Sequence, residues 1–461
     1  ADVYPLAPLQ EGIFFHHMMA DRDSADVYVT PTVVEFDSRD RLDGFLAALQ
    51  QVVDRTDVYR TSVVWQGLRE PVQVVWRHAR LPVDEVVLRD DLDPVEQLNA
   101  LGTAWMDLSE APLVQAVVAA RPGDPQRWLA VLRIHHLVQD HTALDILLEE
   151  LAAYLAGRGG DLPEPVPFRE FVAHTRLGVP REEHERYFAG LLGDVTETTA
   201  PYGLLDVHSG GLASAQAHLR LDGPLGRRVA AFAREHGVSP ATLFHLAWAR
   251  VLGTLAGRDD VVFGTVLFGR MNSGAGADRV PGLFINTLPV RVRLGAPVGD
   301  ALDGLRDQLI ELIAHEHAPL AVAQQAANLF GRPLFTSIFN YRYARGAEPA
   351  GAALDGIRLL SARDLTNYPL AVAVDAEGDT FSLTVDAVAP ADPVQVGELL
   401  VTALRNLTRT AENAPGTPLA AVGVLGEDEL SRVVSGWNDT ARRVRQASVP
   451  ELFAERVAAA P

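Results

Sequence analysis

Cysteine is absent from all 461 residues of the chain. This absence excludes disulfide bonds, thiolate nucleophiles and cysteine-ligated zinc. Any thioester chemistry in which the protein takes part must therefore use a thiol carried by another molecule.

Long apolar runs are missing as well. Nowhere does the chain contain the run of about eighteen apolar residues that a transmembrane helix needs. The opening ADVYPLAPLQ has neither the basic region nor the apolar core of a signal peptide. These absences predict a cytoplasmic protein with no membrane partner.

Positive charge is scarce, because 40 basic residues face 60 acidic ones and the formal net charge is -20. Such a charge repels phosphate backbones, and no stretch groups basic with aromatic residues as a nucleic-acid-binding surface would. Nucleic acid is therefore not an expected partner.

The chain is rich in hydrophobic residues, which make up 48% of it, and its length predicts two or more domains. Strand-like and helix-like spacing alternate on both sides of residues 161–168, where Pro163, Pro165 and Pro167 cannot hold a helix. We predict a mixed α/β fold with one lobe over residues 1–165 and a second over 166–427. The predicted strands cover 32–36, 62–65, 72–76, 128–134, 261–267, 288–294, 334–341 and 381–388, and the predicted helices cover 41–53, 95–105, 144–156, 181–192, 224–236 and 240–255.

A paired histidine lies where the strand-like run 128–134 meets an amphipathic helix, in the sequence HHLVQDH at 135–141. An imidazole titrates near neutrality, so a histidine at a strand end can accept a proton from an incoming nucleophile. This indicates acyl-transfer chemistry. The spacing alone is weak evidence, because the chain has 14 histidines and His141 with Asp145 forms a second, overlapping pair.

The helix after the motif has a recognisable start, in which Thr142 is followed three residues later by Asp145. A strand-to-helix turn presents backbone N–H groups and the positive end of a helix dipole, which could steady a developing oxyanion. Ordinary helix capping explains the same residues.

Further stretches accompany the paired histidine in a fixed order: YPLAPLQEG at 4–12, DRTDVYRT at 54–61, FGTV and GR within 263–270, PGLFINTLPVR at 281–291 and RPLF at 332–335. Together they resemble the motifs of condensation domains from nonribosomal peptide synthetases, and the resemblance covers residues 2–425. GWNDT at 436–440 and PELF at 450–453 resemble the linker that leads into an adenylation domain, so residues 428–461 are predicted to be that linker. The missing initial methionine and the helix-like end at Pro461 make us expect a segment of a longer polypeptide with an adenylation domain downstream.

The resemblance implies two chloramphenicol-acetyltransferase-like α/β sandwich lobes in a V-shaped pseudodimer, with the paired histidines near the middle of a central tunnel. It implies an upstream donor and a downstream acceptor peptidyl carrier protein, each inserting a phosphopantetheine arm. The domain itself is expected to bind no cofactor. The implied reaction is peptide-bond formation between a donor aminoacyl or peptidyl thioester and the amine of an acceptor aminoacyl thioester.

Within the motif, we expect His136 to act as the proton acceptor or as an orienting group for the attacking amine. We expect His135 to be a packed neighbour, and the family implies that Asp140 forms an ion pair with Arg60. His141 occupies the position where the family usually has glycine, and we expect activity to survive this departure. No metal is expected, because the spacing of histidines and carboxylates matches no zinc-enzyme pattern.

Three more residues are candidates for the acceptor side. The family places Thr366, Asn367 and Tyr368 near the acceptor chamber, although turn formation before Pro369 explains them as well. His16 and His17, in the opening helical stretch, are expected on the surface or on the tunnel wall.

Other functions share the motif. An epimerization domain normally also carries a Glu-Gly-His-Gly-Arg-like stretch in its second lobe, which this chain lacks, and a catalytically silent recruitment module usually loses the second histidine, which this chain keeps. A stand-alone acyltransferase would not need the linker. The opening motif resembles domains that join a D-configured donor to an L-configured acceptor.

Overall fold

The computed structural model describes residues 2–20, 22, 26–102, 105–205, 214–270, 276–329, 331–343, 355–362, 366–443 and 446–460. Strands and helices are interspersed along this part of the chain, so the predicted mixed α/β class is confirmed.

The first part of the chain contributes seven strands and five α-helices to the described residues. They are β1 Asp2–Pro5, α1 Pro8–Met19, β2 Val29–Phe36, α2 Arg39–Arg55, β3 Thr61–Val64, β4 Val72–Val75, β5 Val83–Glu85, α3 Pro94–Gly102, β6 Val114–Arg121, β7 Asp124–His135, α4 His141–Leu155 and α5 Phe168–Leu177.

The later part contributes the remaining described elements. They are α6 Arg181–Leu192, β8 Ser214–Arg220, α7 Gly223–Glu235, α8 Pro240–Ala256, β9 Asp260–Leu267, β10 Asn286–Arg293, α9 Val298–Ala314, α10 Leu320–Ala326, β11 Ser337–Tyr343, β12 Ile357–Ala362, β13 Leu370–Glu377, β14 Thr380–Val388, α11 Pro393–Asn413, α12 Glu427–Ser431 and α13 Val449–Ala459.

The strands form three sheets. One is a three-stranded sheet of the first part of the chain, ordered β1-β4-β3. The second is a five-stranded sheet ordered β12-β2-β7-β6-β5, in which β12 comes from the later part. The third is a six-stranded sheet ordered β10-β9-β11-β13-β14-β8. Because β7 is central in its sheet, antiparallel to both β2 and β6, the strand that leads into the paired histidine is held on both edges.

Two large hydrophobic cores lie beside these sheets. The first gathers apolar side chains from α1, α2, β6, β7 and α4, and the second gathers them from α6, α8, α9, α11 and the six-stranded sheet. Burial of these side chains supplies the main driving force for folding.

Some segments from the later part of the chain pack on the sheet and core of the first part. β12, late in the chain, pairs antiparallel with β2, and Ala277, Val280, Leu283 and Phe284 lie in the first core. Helix α5, which follows the predicted connector at 161–168, also packs on the first core. The residue at which one lobe gives way to the next therefore stays a prediction. In the described part of the chain, no helix is both long and apolar enough to cross a membrane.

Candidate active site

The paired histidine lies at the end of the central strand β7, where residues 136–138 form a single turn of 3₁₀ helix before α4. Between Leu129 and Asp140, every residue is buried except His136, which is partly exposed. The chain therefore presents one of the two adjacent imidazoles and hides the other.

His136 is held by its backbone and by its ring. Its N–H donates to the carbonyl of Tyr28 at 2.7 Å, and its Nδ1 lies 2.7 Å from the carbonyl oxygen of Gln139. A carbonyl oxygen only accepts hydrogen bonds, so Nδ1 carries a proton and, in the neutral ring, Nε2 keeps its lone pair. Nε2 is thus the ring atom of His136 that is left to accept a proton.

His135 is fully buried. Its Nδ1 accepts a hydrogen bond from the N–H of Leu137 at 3.1 Å, and its Nε2 lies 3.8 Å from a carboxylate oxygen of Asp26. Burial lowers the pKa of His135 to about 3, because a charged ring would lose its hydration there. The ring is neutral at physiological pH and lies behind the accessible histidine.

Asp140 makes four hydrogen bonds in a buried position. Its Oδ1 caps helix α4 by accepting from the N–H of Ala143 at 2.8 Å, and its Oδ2 accepts from the N–H of Phe284 at 3.0 Å. The Nη2 of Arg270 lies 2.9 Å and 3.0 Å from the two carboxylate oxygens. Asp140 therefore joins the turn after β7 to the segment around Arg270 and Phe284.

The predicted ion pair of Asp140 with Arg60 is wrong. Arg60 is the last residue of the short 3₁₀ turn after α2, and its side chain donates to the carbonyls of Trp76 and Arg77, the latter at 3.1 Å. The Arg60 guanidinium thus binds backbone carbonyls next to β4. The Asp140 carboxylate is instead bound by Arg270, which lies 130 residues further along the chain.

The position of the Arg270 side chain is set by Gly269 and by the ring of Phe284. A side chain at Gly269 would collide with the Phe284 carbonyl at 1.8 Å, and its φ is +69°. The Arg270 guanidinium lies 3.8 Å from the centroid of the Phe284 ring, a cation–π contact, and Nη1 donates to the carbonyls of Ala277 and Val280 at 2.6 Å and 2.7 Å. In the sequence, Arg270 could be noticed because the Gly-Arg pair at 269–270 is one of the stretches that resemble the family's motifs.

The start of α4 is occupied by the Asp140 carboxylate. This charge already faces the positive end of the helix dipole, so the geometry favours ordinary capping over an oxyanion site for this turn. His141 and Asp145 both lie exposed on the first turns of α4.

The acceptor-side candidates form a turn before β13. The hydroxyl of Thr366 accepts from the N–H of Tyr368 at 3.2 Å, and the Tyr368 ring stacks on Phe335 with centroids 5.9 Å apart. Asn367 is partly buried beside them. Burial, together with the nearby Tyr368 hydroxyl, raises the pKa of Tyr28, whose carbonyl holds the His136 backbone. The Tyr368 side chain therefore lies near Tyr28.

His17 was expected to be exposed or on a tunnel wall, but it is buried at 2% exposure. It lies close to Asp26 and His135, and these three residues are the group of potential metal ligands found in the described ranges. The group does not fit a metal ion. Because Nδ1 of His135 accepts a backbone N–H, Nε2 of the neutral ring carries the proton and has no lone pair to donate. Asp26, in the segment before β2, had no recognisable sequence signal.

Comparison with known proteins gives a consistent result. Residues 1–391 match the family model described as the condensation domain. The chain is 40% identical over 449 residues to malpibaldin synthetase from Mortierella alpina. The matched region covers 95% of this chain but only 8% of that synthetase.

Two solved structures share the fold. The first condensation domain of the CDA synthetase has a TM-score of 0.70 at 18% identity, over 92% of this chain and 100% of that one. The X-domain from teicoplanin biosynthesis has a TM-score of 0.74 at 18% identity, over 91% of this chain and 97% of that one. At these identities the likeness concerns the fold alone.

Proposed function

Since this chain belongs to the condensation domain family, we propose that it forms a peptide bond between two substrates delivered by carrier proteins. The donor is an aminoacyl or peptidyl thioester, and the acceptor is the amine of an aminoacyl thioester. The observation that carries the proposal is the accessible His136, whose Nδ1 bonds to the carbonyl of Gln139 and leaves Nε2 to accept a proton.

The chemistry is aminolysis of a thioester. The acceptor nitrogen attacks the donor carbonyl carbon, a C–N bond forms, the C–S bond breaks and the donor thiol is released. The nitrogen loses one proton, which His136 Nε2 accepts and returns to the departing sulfur. If the ring does not take the proton, the same atom orients the neutral amine by accepting a hydrogen bond from it, and the proton of the nitrogen passes to the departing thiolate.

The thiols belong to the partners. The chain has no cysteine, so the proposed donor and acceptor carrier proteins supply the sulfur on phosphopantetheine arms. Residues 428–461 are proposed to lead to an adenylation domain in the same polypeptide. In support, α13 leaves Val449, Phe453 and Val457 at 80%, 69% and 53% exposure, an apolar face that a following domain would cover.

Two alternatives rest on the same fold. A catalytically silent recruitment module would keep this fold, and an epimerization domain shares the paired histidines. The intact, accessible His136 favours catalysis over recruitment, and the missing Glu-Gly-His-Gly-Arg-like stretch favours condensation over epimerization. The opening YPLAPLQEG supports a D-donor, L-acceptor subtype.

The test uses donor and acceptor carrier proteins loaded with defined aminoacyl groups, the donor in both D and L forms. After addition of the protein, intact mass spectrometry follows the acceptor carrier. We expect its mass to increase by the donor acyl group, and to do so faster with the D donor. Inverted configuration without transfer of mass would indicate epimerization, and binding without either change would indicate recruitment.

A further inference from the structure

Asp26 is a buried carboxylate that the reaction does not use directly. Its exposure is 3%, and it lies in the segment between α1 and β2. A buried charge is costly unless hydrogen bonds and opposite partial charges surround it. Its presence beside the paired histidine therefore requires compensating contacts.

Those contacts come from two directions. Oδ1 accepts from the N–H of Tyr28 at 3.1 Å. Oδ2 lies 3.2 Å from Nδ1 of His17 and 3.8 Å from Nε2 of His135. Burial alone would raise the pKa of Asp26, but the contacts with His17, His135 and the Tyr28 N–H together lower it. The carboxylate is charged at physiological pH.

Both sets of Asp26 contacts connect to His136. On one side, Asp26 holds the N–H of Tyr28, and the carbonyl of Tyr28 accepts the N–H of His136 at 2.7 Å. On the other side, Asp26 faces the ring of His135, the preceding residue. The Asp26 carboxylate therefore restrains the backbone of His136 in two ways. One is through Tyr28, immediately before the neighbouring strand β2, and the other is through His135, at the end of β7.

His17 fixes the carboxylate from helix α1. Its ring stacks on Trp105 with centroids 3.8 Å apart and meets the His135 ring edge-on at 5.5 Å. His17 on α1 and His135 on β7 thus both lie against Asp26, and rotation of its side chain would break its contact with each of them.

We infer that Asp26, held by His17 and facing His135, is a positioning residue that sets the His136 ring for proton transfer. This inference rests on the peptide-bond-forming activity proposed above. Asp26 acts through Tyr28 and His135 and does not touch the substrates. Nδ1 of His135 accepts the N–H of Leu137, so its Nε2 carries the proton and offers no lone pair to a metal ion. The cluster is a charge contact between the carboxylate and the two rings.

The first test is Asp26→Asn, which keeps the shape of the side chain and removes its charge. With both carriers loaded, a single-turnover assay by intact mass gives a rate constant and an amplitude. A displacement of the catalytic group by about 1 Å can cost about 100-fold in rate, so we expect the rate constant to fall by about 100-fold. At saturating concentrations of folded protein the rate constant does not depend on how much protein is folded, so it separates positioning from loss of folded protein. Asp43→Asn, at an exposed carboxylate on α2, is the matched control.

The second test does not depend on activity. Hydrogen exchange followed by mass spectrometry should show faster exchange of the peptide spanning residues 134–139 in Asp26→Asn and unchanged exchange in helix α8. An unchanged rate constant, or unchanged exchange of that peptide, would overturn the inference. Stoichiometric zinc in the purified wild-type protein that is lost in Asp26→Asn would overturn it too. If the wild-type protein forms no peptide bond, the proposed function fails, and the exchange experiment still decides the role of Asp26.

Discussion

At the scale of single residues, the two adjacent imidazoles have opposite environments. His135 is fully buried and its pKa is lowered to about 3, whereas His136 is partly exposed and bonded to the carbonyl of Gln139. His135 is the last residue of the buried central strand, whereas His136 begins the 3₁₀ turn that leaves the sheet. One residue of displacement therefore changes a buried ring into an accessible one. The chemical role follows from this exposure.

We expect His136→Ala to lower the rate of peptide-bond formation strongly, by about 100-fold if the ring is a general base. A decrease of a few-fold would indicate that the ring only orients a neutral amine. His141→Gly, which restores the family's usual residue at an exposed position, should keep the rate within a factor of about two. Both rates are measured by transfer of mass to the acceptor carrier. The opposite result would assign the site to His141 and Asp145.

The partner of Asp140 can be tested with two arginine variants. Removing one member of a buried ion pair typically costs about 3 to 5 kcal/mol, so Arg270→Ala should lower the free energy of unfolding in urea by about that amount. Arg60→Ala should cost less, because its carbonyl partners remain hydrated at the surface. In combination with Asp140→Ala, the Arg270 variant should show coupling and the Arg60 variant none. Coupling of Asp140 to Arg60 would contradict the structure.

At the scale of elements, the strand β12 joins the later part of the chain to the first. It pairs with β2 at the edge of the five-stranded sheet, and the buried carboxylate of Glu35 on β2 contacts Arg358 of β12 at 2.7 Å. Arg127 reaches the same carboxylate at 3.0 Å, and Arg121 contacts it too. Edge pairing is thus supported by a charge contact.

We expect Glu35→Gln to loosen β12, because three guanidinium groups would lose their shared negative partner. Hydrogen exchange at Ile357–Ala362 should become faster while β14 stays unchanged, with a loss of about 1 to 3 kcal/mol in the free energy of unfolding. Glu85→Gln, at an exposed acid that pairs with Arg39, should leave β12 unaffected. Equal effects of the two variants would show that the charge on Glu35 does not hold the strand.

Several elements could be predicted from their residues and others could not. The spacing of apolar residues predicted helix α6 at 181–192 as the structure has it, and α8 to within one residue. The strand predicted at 334–341 begins later, at Ser337, because the residues before it bond to Thr199 in an isolated bridge centred on Phe335. Strand β6 and helices α9 and α11 were not predicted. Short apolar runs such as Val114–Arg121 fit a strand or a buried helix equally well, and only the neighbouring strands decide.

At the scale of the whole molecule, the interior contains several neutral histidines. Burial lowers the pKa of His135 to about 3 and that of His184, His245 and His317 to about 4. In the unfolded chain, a histidine titrates near pH 6.5. The unfolded state therefore takes up protons first as the pH falls.

This difference predicts the pH dependence of stability. The contribution of these histidines is fully present above about pH 6.5 and is lost as the pH falls from there towards about 4. We expect the urea midpoint to decrease steadily between about pH 7 and about pH 5. His141→Gly, at an exposed position, should show the same decrease. A midpoint independent of pH over this interval would contradict the buried, neutral state of the four rings.

The sequence by itself determined the chemistry available to this protein: no thiol of its own, an imidazole pair at a strand end, and alternating patterns that require a mixed α/β fold. These properties depend on residue types and on spacing within one element, which can be read locally. The residues also indicated that His136 and not His135 is the working imidazole. The tertiary structure alone decided that Arg270 and not Arg60 meets Asp140, and that Asp26 lies beside His135. Those outcomes depend on contacts between residues far apart in the chain, where several partners of equal charge compete and only packing selects one.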